Sequence, residues 1–174
     1  YWPTLAQLGF TEQKRRTTME LDLQHAPAAA VERDVRAIDD ADQFHLSDLM
    51  AAAYHSTVDD EGEDQSAWFD HLGDVLAGRY GAFMPGASFL TPPAPPFHSA
   101  TLMIENAPHC ALLAHVMTRR AQTNRGHARR LLAHSLAALA AQGYQRCFLE
   151  ATTSNATAMP LYRAFGFAAI GPPI

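Results

Sequence analysis

The stretch TNRGHARRLL, residues 123–132, carries one glycine and three arginines into a pair of leucines. Upstream, CALLAHVMT (110–118) is an apolar run of strand length whose flanks suit a buried position. Downstream, Leu131, Leu132, Leu136 and Leu139 recur at helical spacing over residues 127–142, and Gly143 stands in C-cap position. Strand, loop and helix in that order expose backbone N–H groups at a helix N-terminus, where the peptide dipoles favour an anion. Arginines at that end oppose the same dipole by about 0.3–1 kcal/mol each. Arg125, Arg129 and Arg130 therefore sit beside a negative charge supplied from outside, or else point into water or pair with acids elsewhere at little net energy. No Lys-Ser/Thr pair follows Gly126 and no further glycines surround it, so neither the Walker loop nor a dinucleotide fingerprint fits.

Working outward, VERDVRAI (31–38) alternates like a strand. The next segment, 39–57, places Leu46, Leu49, Met50, Ala53 and Tyr54 at helical spacing after an acidic start. VDDEGEDQ (58–65) reads as a loop, after which Ser66 is placed to cap a second helix with Trp68, Phe69, Leu72, Val75 and Leu76 on one side, ended by Gly81, Pro85 and Gly86. ASFLT (87–91) and SATLMIEN (99–106) read as strands joined by a proline-rich connection. Past the 127–142 helix come a strand, YQRCFLEAT (144–152), a short helix within NATAMPLYRAFG (155–166) and a strand stub, FAAI (167–170). This order predicts an α/β (α+β) sheet with helices on both faces.

At 174 residues, with 48% hydrophobic and 18% charged residues, the composition is that of one globular domain. No apolar run approaches the ~18 residues of a membrane helix, and the start lacks a signal-peptide pattern. Cys110 and Cys147 form no framework, and nine histidines show no metal-ligand spacing, so the expectation is a cytoplasmic protein with no metal and no membrane partner. Fifteen of the 18 acidic residues fall between Glu20 and Asp74, whereas five of the 13 basic ones are Arg119, Arg120, Arg125, Arg129 and Arg130. A chain of net charge −5 that gathers its cations in one short segment is placed to hold a small anion there, and elsewhere would repel nucleic acid. The acidic run Asp59, Asp60, Glu61, Glu63 and Asp64 fails as an EF-hand, because Thr57 and Trp68 stand where carboxylates are needed; it reads as a solvated loop, the other reading being a loop that attracts a cationic acceptor.

Together with the second stretch SNATAMPLYRAFGF (154–167), the chain from about residue 111 onward resembles the GNAT acetyltransferase superfamily. That family's coenzyme-A loop reads Arg/Gln-x-x-Gly-x-Gly/Ala, and Thr123-Asn124-Arg125-Gly126-His127-Ala128 occupies it without a gap. Thr123 stands where Arg or Gln is usual, and Asn124 replaces a frequent glycine, although Asn tolerates left-handed backbone better than other side chains. The second stretch is similar to the family's Asn-…-Leu-Tyr-…-Gly-Phe signature. The resemblance implies a GNAT fold, a central mixed and mostly antiparallel sheet with helices on both faces.

It also implies acetyl-CoA as cofactor, bound at Thr123, Asn124, Arg125, Gly126, His127, Ala128 and Arg129, with its pyrophosphate on the N–H groups of residues 124–129 and its pantetheine beside Val116, Met117 and Thr118. A backbone N–H near Met117 would face the thioester oxygen. Tyr162 is the implied proton donor to the departing thiolate, and Asn155 would touch the cofactor or cap the short helix. Glu150 is the first choice of base, five residues before Asn155 and twelve before Tyr162, a spacing seen in ribosomal-protein N-terminal acetyltransferases of the superfamily. Burial would raise its pKa as that role requires. A solvent-side glutamate is the other reading, and His115 is a weaker alternative base. The acceptor implied is an amine, small-molecule or peptide. The competing reading is a GNAT-fold module that binds acyl-CoA, or regulates, without turnover.

PTLAQLGF (3–10) echoes PLYRAFGF (160–167), with Leu5 in the place of Tyr162, and is followed by alternating Met19, Leu21 and Leu23. Residues 1–26 thus read as an extension resembling the tail of a GNAT repeat, ahead of a domain over 27–174. The alternating segment is either the end of a preceding repeat or a closing strand for this domain or for that of a homodimer partner.

Overall fold

A computed structural model describes residues 14–25 and 34–173. Val31–Arg33 of the expected first strand, and the echo at residues 3–10, lie outside the described residues. Among the described residues, eight strands form one sheet: β1 (Arg16–Asp22), β2 (Arg36–Ala37), β3 (Ala82–Phe83), β4 (Phe89–Thr91), β5 (Ser99–Ala107), β6 (Cys110–Thr118), β7 (Arg146–Thr152) and β8 (Ala168–Ala169). The order across the sheet is β2-β4-β5-β6-β7-β1-β8, with β3 also on β5. Every pairing is antiparallel except β6 with β7. The alternating segment after residue 15 is β1, and it lies between β7 and β8 of this same sheet.

Helices α1 (Gln43–Tyr54) and α2 (Gln65–Leu76) cover one face, and α3 (His127–Ala141) and α4 (Ala158–Phe165) the other. The two-residue period of β5 makes this possible: Leu102 and Ile104 join Leu46, Leu49 and Leu72, while Met103 points oppositely to meet Leu132 and Leu136. On the α3 face, buried Thr101 and Ser135 satisfy each other at 2.8 Å.

Several boundaries shift for local reasons. Asp64, not Ser66, caps α2: its backbone is extended and its carboxylate accepts from the Ala67 N–H at 2.9 Å, so Ser66 falls inside the first turn. The helix stops at Leu76, and Gly78 (φ 78°) makes the left-handed turn expected of later glycines. Strand β4 begins only at Phe89 because Pro85–Ala87 form a 3-10 turn. At the end of α3 the left-handed residue is Gly143 (φ 89°), one past the cap residue Gln142.

Candidate active site

Strand β6 is the hinge of the site. It pairs along its length with β5 but meets β7 only from Ala111 to Leu113, so the two parallel strands separate beyond that point. Directly after the last shared residue the β5–β6 register slips: Met103 faces Leu113, Leu102 faces His115, and Ala114 is the extra residue of a bulge. Cross-strand partners share a face, so the bulge changes which residues of β6 point where. Leu113 and Val116 face α3, Met117 enters the core under α1, and His115, opposite Leu102, turns toward α1 and α2.

Two cavities fill the gap between the parted strands. One, of about 520 Å³, lies against Val116, Thr118, Thr123, Asn124, Ala128 and Leu161. The other, of about 490 Å³, lies between β6, β7 and α2 and is faced by Trp68, His71, His115 and Glu150. Tyr54, Asp59, Val116, Asn155, Ala158 and Tyr162 border both, so the cavities meet at these side chains.

The first cavity leads to the N-terminus of α3. Asn124 takes the left-handed backbone (φ 60°) that a glycine would supply, and Gly126 follows at φ 81°. Among the described residues no side chain caps α3, and a Cβ at Gly126 would meet none of their atoms within 4 Å. An uncapped helix start facing open space fits a phosphate group. The arginines divide their roles. Arg130 reaches Asp34 at 3.2 Å and His127 Nδ1 at 3.0 Å, so its guanidinium is engaged by groups within the protein. Arg129 lies over the Phe165 ring at 5.7 Å. Arg125 is exposed and forms no ion pair among the described residues, which leaves its charge for the open side of the loop.

Of the residues expected around the cofactor, Val116, Thr118, Thr123, Asn124, Ala128 and Asn155 line the first cavity. Arg125, Gly126, His127 and Arg129 lie outside its wall at the loop and helix start, and His127 turns its ring toward His98 and Arg130. The Met117 side chain is fully buried, so only its backbone can serve a ligand.

Asn155 joins the two cavities structurally. Its Oδ1 accepts from the Ala158 and Thr157 N–H groups at 2.9 and 3.2 Å, capping α4, and its Nδ2 donates to Asp59 Oδ2 at 2.9 Å. The Thr152 hydroxyl donates to the other Asp59 oxygen at 2.6 Å. Asp59 was expected in a solvated loop; instead it is clasped by β7 and the α4 entry, and Glu61 and Glu63 follow it along the second cavity. Sequence offered no signal for a contact spanning 96 residues.

Tyr162 is buried on α4, and burial together with the nearby Asp59 charge pushes its phenol up to about 12. Glu150 reaches the second cavity but is exposed, because it alternates with Leu149 and Ala151, which fill the core. The burial on which its role as base would draw is not there. His115, by contrast, has both ring nitrogens engaged, Nδ1 with Tyr54 Oη at 3.3 Å and Nε2 with His71 Nε2 at 3.0 Å. Burial, then the neighbouring His71, lowers its pKa to about 3, so the ring is neutral.

The acetyltransferase (GNAT) family model matches residues 34–167. No curated protein matches the chain by sequence. Among solved structures the chain is similar to a GNAT-family protein from Novosphingobium aromaticivorans (23% identity, 90% of this chain and 60% of that one, TM-score 0.65). It is also similar to a GCN5-related N-acetyltransferase from Sphaerobacter thermophilus (18%, 97% and 53%, TM-score 0.70). A third is a GNAT family acetyltransferase from Brucella melitensis in complex with acetyl-CoA (17%, 80% and 89%, TM-score 0.58). The chain thus spans 60% and 53% of the length of the first two. With two helix-covered faces, a sheet that parts beside β6 and an uncapped glycine turn opening α3, this chain belongs to the acetyltransferase (GNAT) family.

Proposed function

We propose that the protein is an acetyl-CoA-dependent N-acetyltransferase acting on a small-molecule or peptide amine. One observation carries the reading: two cavities, one reaching the uncapped start of α3 and the other lined by titratable side chains, meet at Tyr162. Backbone N–H groups of residues 124–129, with Arg125, would hold the pyrophosphate, and the edge of β6 from Val116 to Thr118 would run beside the pantetheine. Acetyl-CoA supplies an acyl group activated as a thioester. Tyr162, kept as a phenol by burial, is placed to offer its proton where a sulfur departs. The second cavity takes the acceptor. Asp59, Glu61, Glu63 and Glu150 on its wall, against Arg16, favour an amine that arrives as a cation.

The test is calorimetric titration with CoA, followed by thiol release from acetyl-CoA with an amine panel. Binding with turnover, reduced about 10²-fold or more in Tyr162→Phe, supports the enzyme. Binding with no turnover on any amine supports an acyl-CoA-binding module instead, and no binding overturns both.

A further inference from the structure

We infer that Tyr54, His115 and His71 form a proton relay that carries the acceptor amine's proton out of the active site, in place of Glu150. The inference rests on the acetyltransfer reading above and names the general base that reading lacks.

The geometry excludes the simpler roles first. His115 cannot take a proton directly from a ligand, because each of its nitrogens already has a partner inside the protein, at 3.3 and 3.0 Å. Glu150 is exposed, so water screens it and competes for its oxygens. Tyr54 borders both cavities, at their junction, and is the member of the chain that an amine beside the cofactor end of the site would meet.

Outward transfer uses one of the two ring-proton arrangements that these contacts allow. In the starting state Tyr54 Oη–H donates to His115 Nδ1, and His115 Nε2–H donates to His71 Nε2. When the amine yields a proton to Tyr54 Oη, the Tyr54 proton moves to His115 Nδ1 and the His115 proton moves to His71 Nε2. Each intermediate group gains one proton and loses one, so the charge appears only on His71. That ring is half-buried, and burial lowers its pKa below the usual imidazole value, while the charges of Asp74 and Glu63 offset part of that cost to the cation. Tyr80, half-exposed, packs on the far side of the ring at 5.5 Å, and Trp68 meets its edge. The acceptor enters as R–NH3+ and leaves as R–NH–CO–CH3, so nitrogen loses two protons while the N–C bond forms and the C–S bond breaks. One proton leaves through His71. The second restores Tyr162 after its proton has gone to sulfur.

The bulge at Ala114 is what creates the relay. In a regular strand Ala114 would pair with Leu102, and His115 would share a face with Leu113 and point at α3, away from Tyr54 and His71.

The experiment measures thiol release from acetyl-CoA with spermidine, glucosamine and an alanine-starting peptide, across about pH 6.5 to 10. Tyr54→Phe and His71→Gln are expected to lower kcat about 10²-fold near neutrality. The loss should shrink toward wild type at high pH, where the amine, of pKa about 8 to 10, is already free. Glu150→Gln is expected to raise KM for cationic acceptors and keep the wild-type pH dependence. The groups facing the relay, Asp59, Glu63, Asp74, Glu150 and Tyr162, are unchanged in Tyr54→Phe, so the narrowing belongs to the relay. A loss that stays constant with pH, or narrowing seen in Glu150→Gln alone, overturns the inference. If none of the three amines is turned over, the acetyltransfer reading fails for them, and 15N spectra of the histidine rings decide the relay separately. A neutral His115 carrying its proton on Nε2 supports it, with the bare Nδ1 signal shifting in Tyr54→Phe; a proton on Nδ1 overturns it.

Discussion

Replacing Asn155 with alanine removes both jobs of one side chain at the junction of the cavities. The lost cap of α4 costs about 1 kcal/mol. The lost hydrogen bond to Asp59 would cost about 1.5–3 kcal/mol in a dry site. Asp59 is only partly buried and keeps the Thr152 hydroxyl at 2.6 Å, so water takes up most of that loss and about 0.5–1 kcal/mol remains. The sum, roughly 1.5–2 kcal/mol, corresponds to a Tm lowered by about 3–8 °C for a chain of this size. Urea unfolding at pH 7, with an unchanged m-value, measures it. Asn155→Asp separates the two contributions, because a carboxylate still accepts from the helix N–H groups but sets a second negative charge against Asp59. One carboxyl of that pair is then raised above its unfolded pKa. The variant is therefore destabilised at neutral pH and approaches wild type as pH falls below about 4, where the pair holds a proton. Asn155→Ala within 0.5 kcal/mol of wild type, or an Asn155→Asp deficit that does not change with pH, would refute the clasp.

Gly126→Ala should cost about 1–2 kcal/mol from φ alone, since no atom stands within 4 Å of the added Cβ, and should weaken CoA binding in calorimetry about tenfold because the methyl projects into the proposed phosphate site. An unchanged Kd would move the pyrophosphate elsewhere. For Asp42, burial raises the carboxyl, but bonds from Arg36 at 2.6 and 2.7 Å and from the Asp39 N–H more than offset it and hold the pKa below the usual range. A depressed carboxyl stabilises above its unfolded pKa, near 3.9, and loses that contribution as pH falls through the folded value. Arg36→Met should thus cost about 2–3 kcal/mol at pH 7 and much less near pH 2, read from urea midpoints at both. Burial pushes the Cys147 thiol up to about 12, while Cys110 is only half-buried, so a thiol reagent should label one cysteine in the native protein and two in denaturant.

The residues that carry local order were legible before the structure was. CALLAHVMT is β6 to the residue, and the leucines of 131–139 are the buried face of α3, because each pattern repeats over several turns or alternations. Asn124 in a glycine position told of the left-handed turn it makes. What escaped was set by tertiary contacts. A single extra residue at Ala114 leaves no mark in an apolar run, yet it decides that His115 meets His71, 44 residues away. The loop carboxylates looked solvated because Asp59 finds its donors on β7 and at the α4 entry, 93 and 96 residues on. Three arginines at one helix start looked alike, but only the folded chain brings Asp34 to Arg130 and leaves Arg125 facing outward.

The position of β1 ties the least legible part of the chain to the proposed chemistry. Its Met19 and Leu21 enter the core with Leu149 and Phe167, and Leu21 approaches so closely that a Cβ on Gly166 would lie 3.3 Å from its Cδ1. The turn after α4, at φ 97°, therefore needs glycine both for its backbone and to admit β1. On the opposite face the same strand carries Arg16 and Thr18, in register with Thr152 and Glu150. Lys14 and Arg16 reach Glu61 at 2.9 and 3.7 Å, which draws the acidic loop across the second cavity. One strand thus sets the packing beneath Tyr162 and the charge beside the cavity proposed for the acceptor. A change at Arg16 should therefore act on acceptor KM, whereas one at Leu21 should act on stability and, through α4, on kcat. The two faces of an alternating strand make that division a physical necessity, because adjacent residues of β1 cannot reach the same side of the sheet.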